Sequence, residues 1–293
     1  MTRTLSRTTA AATTLALAAA LASCAPAEGD DGTVEVLASF YPLEYVADEI
    51  GGEHVTVSSL TPPAAEPHDL ELSPSAVRSV GEADLVVYLS GFQAATDEAI
   101  DAQSPEHVVD TAEAAGLEGG TDALDPHFWL DPTRLATVGH QVADELSAVD
   151  PDNAADYAER ADDLEARLTD LDTRYAEQLT SCQGATLVTS HEAFGYLADR
   201  YGLVQVGITG IDPEVDPSPK RLREVRQIVE DAGVTTLFFE ILVSPKVTQT
   251  LADDLGVATA VLDPIEGHVD VERDYLEIMG DNLDALTTGL NCS

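Results

Sequence analysis

Strand-length apolar runs alternate with helical patterns in two successive sets, and one long uninterrupted helical stripe separates them. In the first set Val34 to Leu37, Val55 to Leu60, Leu85 to Tyr88 and Val108-Val109 read as strands. Pro42 to Ile50, Pro74 to Val80, Thr96 to Ile100 and Thr133 to Val149 read as helices. In the second set the strands are Thr186 to Thr189, Val204 to Ile208, Thr236 to Phe239 and Ala258 to Leu262. Helical patterns follow at Glu192–Tyr201, Pro219–Asp231, Pro245–Leu255 and Glu272–Leu290. Such alternation predicts parallel sheets covered on both faces, hence an α/β protein of two parallel-sheet lobes. Between the sets, Tyr157, Ala161, Leu164, Leu168, Leu171, Tyr175 and Leu179 recur at three- and four-residue steps, which is one face of a helix. Neither Gly nor Pro interrupts the run after Pro151, and Asp150 precedes it as a candidate N-cap. A helix over Pro151–Leu179 would be about 43 Å long, a rigid spacer between the halves. The expected organisation is a lobe over 34–150, a connecting helix over 151–180 and a second lobe over 181–293.

Charge removes whole classes of partner. The 293 residues carry 14 Lys+Arg against 54 Asp+Glu, a formal net charge of −40, and Lys220 and Lys246 are the only lysines. Nucleic acid, which needs clustered basic groups, is not an expected ligand, and an anionic membrane surface is disfavoured for the same reason. With 44% hydrophobic residues the composition is that of a folded chain.

Residues 1–23 have the form of an export signal. Arg3 and Arg7 make a positive start, and Ala10 to Ala22 is an apolar run too short for a permanent membrane span. The run ends in Leu21-Ala22-Ser23-Cys24, which resembles the bacterial lipobox, and a polar linker reaches to residue 33. Cys24 is therefore the expected lipidation site. Cleavage before it removes Arg3 and Arg7 and takes the net charge from −40 to −42. Cys182 and Cys292 are then left in an oxidising compartment, where a disulfide between them is expected and two free thiols are the alternative.

Seven histidines occur. His68 lies in Glu66-Pro67-His68-Asp69 beyond the second strand, and His191 follows the strand Thr186 to Thr189 after one residue. Asp263 immediately follows the last strand. These positions fall at the C-terminal ends of strands, the edge where open α/β sheets bind ligands. His127 lies in Asp125-Pro126-His127-Phe128-Trp129-Leu130-Asp131-Pro132. Imidazoles with one carboxylate suit a borderline divalent metal. His54, His107 and His140 read as ordinary surface or core residues, whereas His268 lies close to Asp263.

Ser39-Phe40-Tyr41-Pro42, Glu66-Pro67-His68-Asp69 with Leu72-Ser73-Pro74, the segment Asp125 to Pro132, and Ser190-His191-Glu192-Ala193-Phe194-Gly195-Tyr196 occur in that order. Glu240 to Pro245, then Leu262-Asp263-Pro264 with Glu266-Gly267, follow them. The ordered set resembles the metal-binding lipoproteins of bacterial zinc/manganese ABC importers. The resemblance implies two α/β lobes joined by a long helix, with one divalent metal between them. It implies His68, His127, His191 and Asp263 as ligands; whether Glu266 and His268, close to Asp263, act as supporting groups is left open by the sequence. Manganese-type members resemble this chain but usually carry glutamate where His191 stands, so the third imidazole favours Zn(II) over Mn(II) or Fe(II). The segment Ala112 to Leu124 is short and lacks the histidines of the long loop found in many zinc-type members.

The function so implied is capture of Zn(II) outside the cytoplasm by a monomer anchored to the cell membrane through its lipid. Delivery is to an integral-membrane permease driven by a cytoplasmic ATPase, with release coming from small shifts near the second-lobe ligands. A manganese or iron carrier and a surface adhesin are the alternatives. An enzyme is not expected: His191-Glu192 begins like a His-Glu-x-x-His motif, but Gly195 replaces the second histidine. An affinity loss below pH about 6.5 is expected, because imidazole binds metal only when neutral.

Overall fold

The computed structural model describes residues 32–117 and 125–292. The signal segment, Cys24 and part of the acidic loop fall outside them. The first sheet contains β1 (Val34–Ala38), β2 (Val55–Ser59), β3 (Leu85–Tyr88) and β4 (Val108–Asp110), ordered β2-β1-β3-β4. The second contains β5 (Thr186–Thr189), β6 (Val204–Gly207), β7 (Thr236–Phe239) and β8 (Ala258–Val261), ordered β6-β5-β7-β8. Every pairing is parallel, and the two sheets share one plan. In each, the strand order reverses beside the first strand, which opens a crevice at the C-terminal edge.

The helices are α1 (Tyr41–Gly51), α2 (Pro74–Glu82), α3 (Ala94–Gln103), α4 (Pro132–Val149), α5 (Ala154–Gln178), α6 (Gly195–Tyr201), α7 (Pro219–Ala232), α8 (Lys246–Leu255) and α9 (Tyr275–Gly289). Three start with a capping residue followed by proline at the first helical position. Ser73 accepts from the Ala76 amide at 3.2 Å, Asp131 from Thr133 at 2.9 Å and Ser218 from Arg221 at 3.1 Å. A reciprocal box of Asp274 and Glu277 starts α9.

The long helix differs in two ways from the expectation. Pro151–Asn153 form a 3-10 turn, and the α-helix proper runs for 25 residues from Ala154. Asp150 does not cap the α-helix; its carboxylate instead accepts from Asn153 at 2.7 Å and from the Tyr157 hydroxyl at 2.8 Å. Nor is α5 a bare spacer. Its stripe of Tyr157, Ala161, Leu164, Leu168, Leu171 and Tyr175 is buried, and it packs against α1 and α4 on one side of the chain and α9 on the other.

One apolar core takes in residues of both sheets, with Leu43, Leu85 and Trp129 from the first half and Leu187, Tyr275 and Met279 from the second. The described chain from Thr33 onward is accordingly one compact unit. Polar clasps reinforce it. The Tyr175 hydroxyl donates to the Met279 carbonyl at 2.7 Å, and the Trp129 indole donates to the Pro264 carbonyl at 2.7 Å. Cys182 and Cys292 form a disulfide with Cα atoms 5.2 Å apart, tying the segment before β5 to the end of α9. Among the described residues no helix is long and apolar enough to cross a membrane.

Candidate metal centre

Each key side chain lies on a segment that follows a strand. His68 lies between β2 and α2, His127 between β4 and α4, His191 directly after β5 and Glu266 after β8. The His68 segment is held by Gln93, whose amide donates to the Pro67 carbonyl at 3.2 Å and to Thr61 at 2.9 Å. The Ser190-to-Phe194 stretch stays out of helix, so α6 begins at Gly195 rather than Glu192. Gly207 on β6 makes room for it, because a Cβ there would fall 2.4 Å from both Glu192 Cγ and the Thr209 carbonyl. Gly267 does the same across the cleft: a Cβ would come within 2.9 Å of the Ala65 carbonyl, beside the His68 segment. Only glycine lets the segments that carry His68 and Glu266 approach this closely.

Three imidazoles converge on one carboxylate oxygen. Nε2 of His127, His191 and His68 lie 2.7, 3.1 and 3.4 Å from Glu266 Oε1. The four donor atoms lie within 4.8 Å of one another. His127, His191 and Glu266 are fully buried, and the His68 side chain keeps 9% exposure, so solvent reaches the group past His68. Phe92 stands edge-on to His68 at 4.8 Å, and Trp129 lies 5.3 Å from His127.

The outer nitrogens are also held. His127 Nδ1 lies 2.7 Å from Asp125 Oδ1, and His191 Nδ1 lies 2.7 Å from Glu240 Oε1, which also accepts from the Ser190 hydroxyl at 2.7 Å. A carboxylate on Nδ1 fixes the proton there and aims the Nε2 lone pair inward once the second proton leaves. Burial disfavours charge on His191, but Glu266 and Glu240 outweigh it and raise its pKa to about 10. Burial likewise opposes charge on His127, and its contacts with Asp125 and Glu266 raise its pKa. Burial works against ionised Glu266 too, yet His191, His127 and His68 hold its carboxyl well below the usual range. Without metal, protons shared by the imidazoles thus balance the carboxylate. Glu266 Oε2 is buried without a hydrogen-bond partner among the described residues, which leaves that carboxylate spare capacity for a cation.

Comparison with known proteins agrees with this geometry. A family model described as zinc-uptake complex component A, periplasmic, matches residues 36–289. The chain belongs to this family. The high-affinity zinc uptake system protein ZnuA of Bacillus subtilis is 32% identical over 288 residues, covering 91% of this chain and 90% of that one. The zinc-binding lipoprotein AdcA of Streptococcus pneumoniae is 30% identical, covering 91% of this chain but 58% of its own length. Among solved structures, the laminin-binding protein Lmb of Streptococcus agalactiae, titled a bifunctional protein with adhesin and metal transporting activity, superposes with a TM-score of 0.82. It is 32% identical over 88% of this chain and 99% of that one.

The structure brings together His68, His127 and His191, three of the four residues expected as ligands, and the carboxylate beside them is Glu266. Asp263 is not in the cluster. Its Oδ1 accepts from the Ile265 amide at 2.8 Å, and Asn282 grips both its amide and its carbonyl, at 2.8 and 2.7 Å. Burial raises its carboxyl pKa to about 6, against the pull of the Ile265 amide. Asp263 therefore builds the turn, Ile265 takes a left-handed conformation with φ of +58°, and Glu266 is delivered to the cleft. Glu266, read from the sequence at most as a supporting group, is the convergent carboxylate. The signal available in sequence was its place in Glu266-Gly267. His268 points elsewhere: it stacks on Tyr41 at 4.0 Å and bonds the Arg273 carbonyl at 2.8 Å.

Proposed function

We propose that this chain captures Zn(II) outside the cytoplasm and hands it to an ABC permease powered by a cytoplasmic ATPase. The observation that carries the proposal is the convergence of three Nε2 atoms on Glu266 Oε1 inside a buried cleft. The ion would take the place of the protons, bound by His68, His127, His191 and Glu266. Three imidazoles and one carboxylate favour zinc over Mn(II) or Fe(II), which prefer more oxygen ligands. Four protein donors close a tetrahedral shell and leave no water position, which suits transport rather than hydrolysis. Cys24 would carry the lipid that keeps the monomer at the membrane, as the lipoprotein name of the pneumococcal relative supports. The lobes over 34–150 and 181–293, bridged by the segment 151–180, would hold the cleft nearly rigid. Release would then follow local movement of the exposed His68 segment or of the second-lobe loops. Elemental analysis of the purified chain, followed by chelator competition, tests this. One tightly held zinc, bound far more strongly than manganese, is expected; tighter manganese binding would overturn the zinc assignment.

A further inference from the structure

His140, which reads as an ordinary surface residue in the sequence, has a different environment from the other histidines outside the cleft. His54 meets Asp156 at 3.0 Å with Asp150 also near, and His107 meets Glu145 at 2.8 Å, but among the described residues neither belongs to a group of three donor atoms within 4.8 Å. His140 stands on α4 opposite Asp162 and Glu165, one turn apart on α5, and donor atoms of all three lie within 4.8 Å of one another. His140 Nε2 is already 2.8 Å from Glu165 Oε2. Among the described residues, no lysine or arginine forms an ion pair with Asp162 or Glu165.

The platform beneath these groups is fixed, while their ends are free to adjust. Helices α4 and α5 pack together along their buried faces, with Val138 and Val142 on one and Ala161 and Leu164 on the other. Gly139, next to His140, lies so close that a Cβ would touch Leu164 at 3.5 Å. The side-chain tips face water: His140 is 41% and Glu165 54% exposed. Donors around tetrahedral zinc stand roughly 3.3–3.6 Å apart, given bonds of about 2.0–2.2 Å. Exposed rotamers can close a remaining gap of up to about 1.5 Å.

We propose that His140, Asp162 and Glu165 form a second, surface site for a borderline divalent metal, with water completing the coordination. One imidazole nitrogen with two carboxylate oxygens is a donor set that zinc accepts. The site binds more weakly than the cleft, because it has one imidazole instead of three and lies in high dielectric. The chain's excess of acidic groups raises the local concentration of cations around it.

The test is equilibrium dialysis of the metal-stripped full chain against zinc alone. Two equivalents are expected, one tight and one weaker. His140→Ala should lose the weaker equivalent and leave the tight constant unchanged within about twofold, as independent sites do. The paired Asp162→Asn and Glu165→Gln variant, which preserves side-chain size, should behave alike. His191→Ala should show the converse, keeping the weaker equivalent and losing the tight one, so failure of the cleft reading is separately visible. A single equivalent in the unaltered chain, or two in folded His140→Ala, would overturn the surface site.

Discussion

Asp263 and Glu266 show how much three residues matter. Both are carboxylates just after β8, and the aspartate lies nearer the strand end where ligands are sought. Its shorter side chain is consumed by the turn through the Ile265 amide, while Asn282 holds its backbone amide and carbonyl, and the longer glutamate reaches the imidazoles. Glu266→Gln should therefore weaken zinc binding by about 100-fold or more, whereas Asp263→Asn, which keeps an acceptor for Ile265, should change it by less than about threefold. A calibrated chelator titration of both variants checks the order, and a greater loss in Asp263→Asn would refute it. The same scale decides the pH response. With His191 protonated up to about pH 10 in the metal-free protein, zinc must displace a proton throughout the neutral range. Affinity should keep rising, by up to tenfold per pH unit for each proton released, well above the window near 6.5 expected from an ordinary imidazole. Potentiometric proton counting during zinc addition at pH 7.5 should give at least one proton; none would contradict the raised pKa. Since the pKa of His191 is raised on folding, its contribution to the stability of the metal-free protein is complete below about pH 6.5. It is lost as pH climbs toward 10.

At the scale of elements, most of the chain was legible. The strands Leu85–Tyr88, Thr186–Thr189 and Thr236–Phe239 fall where the apolar runs place them, because central strands buried on both faces must be continuously apolar. The helix ends were less legible. Glu192 to Phe194 has a helical pattern, yet it stays outside α6, and the preceding His191 meets Glu240 and Glu266. The α5 stripe was plain, but its burial partners were not: periodicity marks an apolar face without naming what covers it. The structure covers it with α1, α4 and α9, which makes α5 a structural keel for both halves. Leu168, fully buried on that face, should on replacement by alanine cost about 2–5 kcal/mol. Urea denaturation would measure it, and a loss below about 0.5 kcal/mol would mean that the stripe is not a core face.

At the scale of the molecule, the two sheets are tied by a shared core and two interlobe clasps at Trp129, while the disulfide closes the second half at the opposite end of its sheet from the candidate metal centre. Trp129 donates to Pro264 and accepts, through its carbonyl, from Tyr275, so the chain's one tryptophan spans the halves beside His127. The disulfide closes a separation of 110 residues. Cys292→Ser should lower stability by about 2–5 kcal/mol while leaving zinc stoichiometry in the cleft intact, because neither cysteine touches the site. Denaturation with parallel metal analysis separates the two effects; loss of cleft zinc in the folded variant would show that the disulfide also sets the site.

The amino-acid sequence by itself determined the alternation of strands and helices, the two-lobe plan, the central helix, the cysteine pair and the three histidines. The first four are written in local periodicity or in the rarity of cysteine; His68, His127 and His191 stand out among seven histidines by the ordered motifs that carry the family resemblance. Only the tertiary structure decided that Glu266 and not Asp263 faces the histidines, that Asp125 and Glu240 hold their outer nitrogens, and that His140 meets two carboxylates across α4 and α5. Those outcomes depend on how segments up to about 200 residues apart, such as His68 and Glu266 at 198, are brought within bonding distance. Sequence spacing carries no record of that approach; the packing that permits it, down to the missing Cβ of Gly267 against Ala65, does.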